Sequence, residues 1–145
     1  RTKNIAESIF EEVHEGMQGT MDFGTGAYAK VPGINVCGKT GTVENAYRGE
    51  SLKDHAFFGA FAPRENPRIA IAVMCENAGY GATSAAPIAS LLIEKYLRDS
   101  IAGPERKAKI EQLANMNLIP PQMKRLMTKQ DSTKKVTLKK SIAKK

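Results

Sequence analysis

Apolar residues recur four apart at Ile5, Ile9, Val13 and Met17, with Phe10 filling the stripe. Glu7, Glu11, Glu12 and Glu15 lie mostly off it. That period predicts an amphipathic helix over 4–17 with its acidic face in water, bracketed at its end by Gly16 and Gly19. His14, one residue from the stripe, reads as a boundary histidine. Gly24-Thr25-Gly26 is a turn signal, and residues 27–30 suit one short helical turn before Pro32-Gly33. The pattern then shortens. Residues 34–44 hold β-branched side chains at Ile34, Val36, Thr40, Thr42 and Val43 and predict a strand. The polar stretch 45–54 with Gly49 reads as a loop, and 55–62 and 68–76 as a second and third strand. The short Pro63 to Pro67 connection predicts that these two strands form an antiparallel hairpin. The third strand is apolar at both parities, which predicts burial on both faces. After the glycine-rich 77–82, Thr83 or Ser84 is placed to cap a helix with Pro87 in its first turn. Its stripe is Ala85, Ile88, Ala89, Leu92 and Tyr96, and Gly103-Pro104 ends it.

Composition divides the chain. Its 145 residues are 41% hydrophobic and 26% charged, enough to bury a core, which excludes global disorder or a collagen-like chain. No stretch approaches the roughly 20 apolar residues of a spanning helix. Residues 1–97 carry 9 basic and 11 acidic side chains, a net of −2, whereas 98–145 carry 13 and 4, a net of +9. Nucleic-acid binding would have to rest on this tail, which has no aromatic residue after Tyr96 to stack on bases, so no nucleic-acid partner is expected. A short helix fits 105–114, but Pro120-Pro121 interrupts, so 104–127 reads as a loosely held extension and 128–145 as a basic disordered tail. A solvated terminus and an electrostatic contact with an anionic surface both account for that tail. Cys37 and Cys75 are too few for a disulfide framework and lie in apolar runs, as buried free thiols do. The opening Arg1 leads to the expectation of a processed chain or an excised piece.

The chemistry concentrates in residues 33–42, where two readings compete. Gly33 to Thr40 satisfies G-x-x-x-x-G-K-[ST], but a phosphate loop needs a strand before it and a helix after it. Here Ile, Asn, Val and Cys fill the loop positions, and a glycine follows within the first turn of any helix. The other reading is a Lys39-Thr40-Gly41-Thr42 strand at the mouth of a cleft. Alternation sends Lys39 and Gly41 to one side and Thr40 and Thr42 to the other, unless the strand twists there. Lysine and hydroxyls suit a carboxylate, a glycine lets substrate lie against the backbone, and a free N–H suits an oxyanion. His55 opens the second strand in a packing or hydrogen-bonding role. Gly79-Tyr80-Gly81 is explained by a loop before a capped helix, since Ser84 stands where a dinucleotide fingerprint would need its third glycine.

Taken in order, Glu15-Gly16-Met17, Gly24-Thr25-Gly26, Gly38-Lys39-Thr40-Gly41-Thr42, His55-Ala56-Phe57-Phe58, Phe61-Ala62-Pro63 and residues 70–77 resemble the last part of a class B penicillin-binding transpeptidase domain of the cell-elongation type. The resemblance covers about residues 4–97, so that 1–103 is read as the C-terminal portion of that domain. It implies an α/β (α+β) fold in which antiparallel sheet strands are covered by helices, a partial penicillin-binding or β-lactamase-like architecture. It also implies serine acyl transfer that cross-links peptidoglycan stem peptides and is blocked by β-lactams, with no metal or organic cofactor. By the family pattern Lys39 and Thr42 are catalytic, Lys39 shaping the field around the nucleophile and the Thr42 N–H entering the oxyanion hole. Thr40, Gly41 and Thr42 bind substrate. The family's S-x-N is absent, and S-x-x-K occurs only at Ser132–Lys135 and Ser141–Lys144, after the Lys-Thr-Gly motif rather than before it. The expectation is therefore half an active site, inert alone, completed by the upstream part of the same protein outside the cytoplasmic membrane, with the anchor outside this chain. A non-catalytic partner-binding module is the alternative that needs no chemistry. The family sheet also places two strand steps between Cys37 and Cys75, too far for a disulfide.

Overall fold

The computed structural model describes residues 4–47 and 49–117, together with positions 119, 121, 124, 125 and 128. The apolar period of the N-terminal segment folds as helix α1 (Glu7–Phe23). It runs past the predicted end: Gly16 and Gly19 lie inside it, and Gly24 closes it, its N–H donating to the Thr20 carbonyl at 3.1 Å. A 3₁₀ turn (Thr25–Ala29) follows. Val31 and Ile34 form an isolated bridge, and the chain then extends into β1 (Cys37–Val43). The polar stretch after it is a small hairpin of β2 (Ala46–Tyr47) and β3 (Glu50–Ser51) rather than an unpatterned loop.

Strands β4 (His55–Ala62) and β5 (Ile69–Cys75) form the predicted antiparallel hairpin, joined through a cis Ala62–Pro63 peptide. The main sheet has the order β1-β4-β5, all antiparallel, with Lys39 opposite Gly59 and Gly41 opposite Phe57. Two strand steps therefore separate Cys37 from Cys75, and both are free thiols, the first buried and the second half-buried. Burial pushes both thiols above their ordinary pKa, opposed at Cys37 by the nearby Arg64 charge and at Cys75 by a Ser84 hydrogen bond. The expectation of double-sided burial for β5 is not met. Its exposure alternates along its length, with Met74 57% exposed, because α2 covers one of its faces and no described element covers the other.

Helix α2 (Ala85–Arg98) covers one face of the sheet. Ala56, Ala60 and Ala62 on β4 and Ala85, Ala86 and Ala89 on α2 join one buried cluster, whose small side chains let the layers approach closely. Phe58 and Ile93, both at 0% exposure, supply the bulk. Ser84 precedes the helix as predicted, yet its hydroxyl turns back to the Tyr80 carbonyl instead of capping. On the other face His14 of α1 rests 4.7 Å from the Phe61 ring, the boundary position its spacing implied. The predicted short helix past Gly103 is α3 (Pro104–Ala114), packed on α2. Nearly all of the basic tail, with both S-x-x-K matches, lies outside the described residues.

Candidate functional site

Strand β1 is an edge strand among the described residues, paired with β4 on one side only. Every second peptide N–H along it therefore points away from β4 without a strand partner, which is what a substrate lying along this edge requires. Burial along β1 falls from Cys37 and Gly38, both buried, to exposed Thr42 and Val43. One end is thus anchored in the core while the Lys39-Thr40-Gly41-Thr42 stretch emerges at the surface.

The hydroxyls are tied to the turn upstream. Thr40 Oγ1 lies 2.6 Å from Thr25 Oγ1, joining the middle of the strand motif to the middle of Gly24-Thr25-Gly26. The turn packs closely on α1: a methyl added at Gly26 would come within 2.7 Å of Met21 Sδ and 3.1 Å of the Thr20 carbonyl oxygen. Thr25 was not singled out as a site residue by sequence, although its turn was, because a turn signal says nothing about what its central side chain touches. Lys39 is exposed, with Nζ 2.8 Å from the Thr40 carbonyl oxygen, so its charge is held along the strand. Thr42 is exposed beside them. One edge thus gathers a cation, two linked hydroxyls and an exposed threonine, donors that suit an anion such as a carboxylate.

The phosphate-loop reading fails on geometry. Thr40 sits in mid-strand, where that motif needs the start of a helix, and Gly33 to Val36 forms a tight bend and an extended lead-in. A cavity of about 440 Å³ is bordered by Gln18, Asp22 and the 30–36 connection, but no residue of the Lys-Thr-Gly motif lines it. The donors that suit an anion stand on the open strand edge instead.

The supports of this edge are polar and specific. The Arg64 N–H donates to the Asn35 carbonyl at 2.9 Å, and its guanidinium reaches Gln18 and Glu11. The Asn35 amide holds the Glu65 carboxyl below its ordinary pKa. His55 Nδ1 accepts the Asn77 N–H at 3.0 Å, a structural role rather than a catalytic one. Among the described residues Glu94 is the buried charged group, 1% exposed on α2, and its carboxylate accepts Arg106 Nε at 2.7 Å and the Ala102 N–H at 3.2 Å. Burial raises the Glu94 pKa, but these bonds with the Arg106 and Arg98 charges outweigh it and hold the carboxyl below its ordinary value. Arg106 also donates to Ser90 Oγ at 2.7 Å and reaches the Lys30 carbonyl at 3.4 Å, on the connection that feeds β1. Sequence reasoning missed this cluster. Its sequence signal was slight: Glu94 follows Ser90 by four residues and precedes Leu97 by three, in a helix that also carries Lys95 and Arg98.

Against known proteins, residues 1–94 match the family described as the penicillin binding protein transpeptidase domain. The peptidoglycan D,D-transpeptidase MrdA of Haemophilus influenzae is 32% identical over 113 residues, covering 68% of this chain and 17% of that protein. PbpA of Mycobacterium tuberculosis is 37% identical over 73 residues, covering 47% of this chain and 15% of its own length. The chain therefore spans a small part of the relatives it matches. Among solved structures, Pseudomonas aeruginosa PBP2 in complex with WCK 5153 superimposes with a TM-score of 0.56 at 30% identity, covering 72% of this chain and 23% of that one. The ceftriaxone acyl-enzyme complex of penicillin-binding protein A from M. tuberculosis gives a TM-score of 0.59 at 30% identity, covering 65% and 22%.

Proposed function

Because this chain belongs to the penicillin-binding protein transpeptidase family, we propose that it is the carboxylate-binding and oxyanion wall of a D,D-transpeptidase that cross-links peptidoglycan stem peptides by serine acyl transfer. The observation that carries this reading is the Lys39-Thr40-Gly41-Thr42 strand lying at an edge that β4 pairs from one side only, with Thr40 hydrogen-bonded to Thr25. In this reading the Thr40 and Thr42 hydroxyls hold the substrate carboxylate and Lys39 sets the field around the nucleophile. The Thr42 N–H stabilises the tetrahedral oxyanion, a donor of a kind worth about 3–4 kcal/mol in the transition state. The nucleophile and its lysine come from upstream sequence, because the family pattern sets S-x-x-K before the Lys-Thr-Gly motif and both matches here follow it. Two apolar surfaces support an upstream neighbour: the α1 stripe, with Ile5, Ile9 and Val13 each 52–53% exposed, and the edge strand β5. The reaction places the chain outside the cytoplasmic membrane. No described helix is long and apolar enough to span one; in this reading the anchor lies elsewhere in the parent protein. The segments 1–103, 104–127 and 128–145 then serve as domain portion, extension and basic tail, the tail reaching an anionic surface.

The test is the rate of acylation by penicillin of the chain extended into its native upstream sequence, beside its Lys39→Ala variant. The reading expects covalent labelling that slows at least tenfold in the variant, in keeping with the loss of a charge that acts on the transition state. A folded extended chain that takes no label would overturn it.

A further inference from the structure

The loop between β5 and α2 packs directly on the strand proposed to bind substrate. Gly81 is buried and its φ lies outside the left-handed region, so space, not that region, is what calls for a glycine there. A methyl there would overlap the Phe57 carbonyl oxygen and lie 2.9 Å from the Gly41 carbonyl oxygen. A single point so close to both oxygens requires the Gly41 carbonyl to lean toward β4, the strand that carries Phe57. A trans peptide plane directs its C=O and its N–H oppositely. The Gly41 carbonyl and the Thr42 N–H are the two ends of one such plane, so the N–H faces the free edge of β1. The loop that sets Gly81 is stapled on both sides. The Gly79 N–H donates to the Asp54 carbonyl at 2.8 Å, and the Asn77 N–H to His55 Nδ1 at 3.0 Å. Asn45, just past β1, reaches Asn77 Oδ1 at 2.8 Å. Toward α2, the Ala86 N–H donates to the Gly81 carbonyl at 2.8 Å.

We propose that Gly81 is a positioning residue for acyl transfer: it lets the head of α2 close onto the Gly41 carbonyl, fixing the peptide plane whose far end aims the Thr42 N–H at the oxyanion. The inference rests on the transpeptidase reading and adds to it a residue that touches no substrate. The Gly79-Tyr80-Gly81 stretch thereby acquires a role that a loop before a helix leaves unassigned.

An oxyanion donor acts in the tetrahedral transition state more than on bound substrate, so its misplacement lowers the acylation rate constant and spares the noncovalent dissociation constant. The experiment measures both separately, by stopped flow with penicillin, on the chain extended into its native upstream sequence and on its Gly81→Ala variant. The expected result is an acylation rate constant lower by about tenfold or more, part of the hundredfold or larger loss typical of deleting a donor outright, with noncovalent binding within twofold of the parent. An unchanged rate constant, or a fall confined to binding, overturns the proposal. Should Gly81→Ala not fold, Asn77→Gly decides. It suits the φ of 55° at that position and removes only the staple to Asn45. A rate constant reduced about threefold with binding intact sustains the proposal, and an unchanged one sinks it. If the parent itself takes no penicillin, the transpeptidase reading falls first, so the two failures are told apart.

Discussion

The two helices that flank the sheet use similar amphipathic patterns to opposite ends. The inner face of α2 closes on β4 through Ala85, Ala86, Ala89 and Ile93, all at 0% exposure. The stripe of α1 ends in one buried residue, Met21, while Ile5, Ile9, Phe10 and Val13 stay about half exposed. Periodicity states that a face is to be covered; it does not state by what. For α2 the cover lies among the described residues, and for the first half of α1 it does not. The contrast runs through the sheet as well, from fully buried Phe58 in the central strand to the alternating exposure of β5.

The sharpest break of that contrast is in the closed region. Phe58→Ala leaves a cavity among small alanines with little room to collapse, so a loss of about 3–5 kcal/mol is expected by chemical denaturation. Arg106→Ala takes the closest cation from the buried Glu94 carboxylate and leaves it the Ala102 N–H and Arg98 at 3.6 Å; the expected cost is about 2 kcal/mol, partly restored by Glu94→Gln in the same chain. The same carboxylate gives a pH dependence. Its folded pKa lies below the unfolded value, so its contribution is present above the ordinary carboxylate pKa and drains away as pH falls through the folded value. A thermal-melt series should show that loss on the acid side of 4.5, the ordinary value, and Glu94→Gln should flatten it.

The open region predicts a context effect. Ile9→Ser in this chain alone should change stability by less than about 0.5 kcal/mol, as exposed substitutions do. In the extended protein the same change should cost about 2 kcal/mol, because there the side chain is buried. Equal small effects in both would mean that nothing upstream covers the α1 stripe. Smaller than the Ile9→Ser loss in the extended protein is that of Thr25→Val, which removes the partner of the Thr40 hydroxyl. Acylation of the extended chain by a carboxylate-bearing β-lactam should slow about fivefold, roughly 1 kcal/mol, while the methyl ester of the same compound and a Thr25→Ser variant stay near the parent.

Much of the arrangement was legible because local signals and tertiary structure agree. The β4–β5 hairpin follows from a short connection that holds Pro63 and Pro67, the β4 boundaries follow from its residue types, and the family resemblance supplied the order β1-β4-β5. The misses share a cause. Gly16 and Gly19 suggested a helix end, but the contacts of α1 with β1 carry the helix through them, a tertiary override of propensity. Apolar residues at both parities of β5 suggested two covered faces, which hydropathy predicts whether or not the cover lies in the same chain. Thr25 and the Glu94–Arg106 cluster depend on residues that meet only after folding, and a single sequence has no periodicity that reports such pairs.

Central to the account is a division of labour: this chain holds the wall, and the nucleophile lies upstream. Peptide mapping of the penicillin adduct on the extended protein tests that division most directly. The account predicts one acylated serine, N-terminal to Arg1. An adduct on Ser132 or Ser141 would contradict it, since the chain would then carry its own nucleophile in the basic tail.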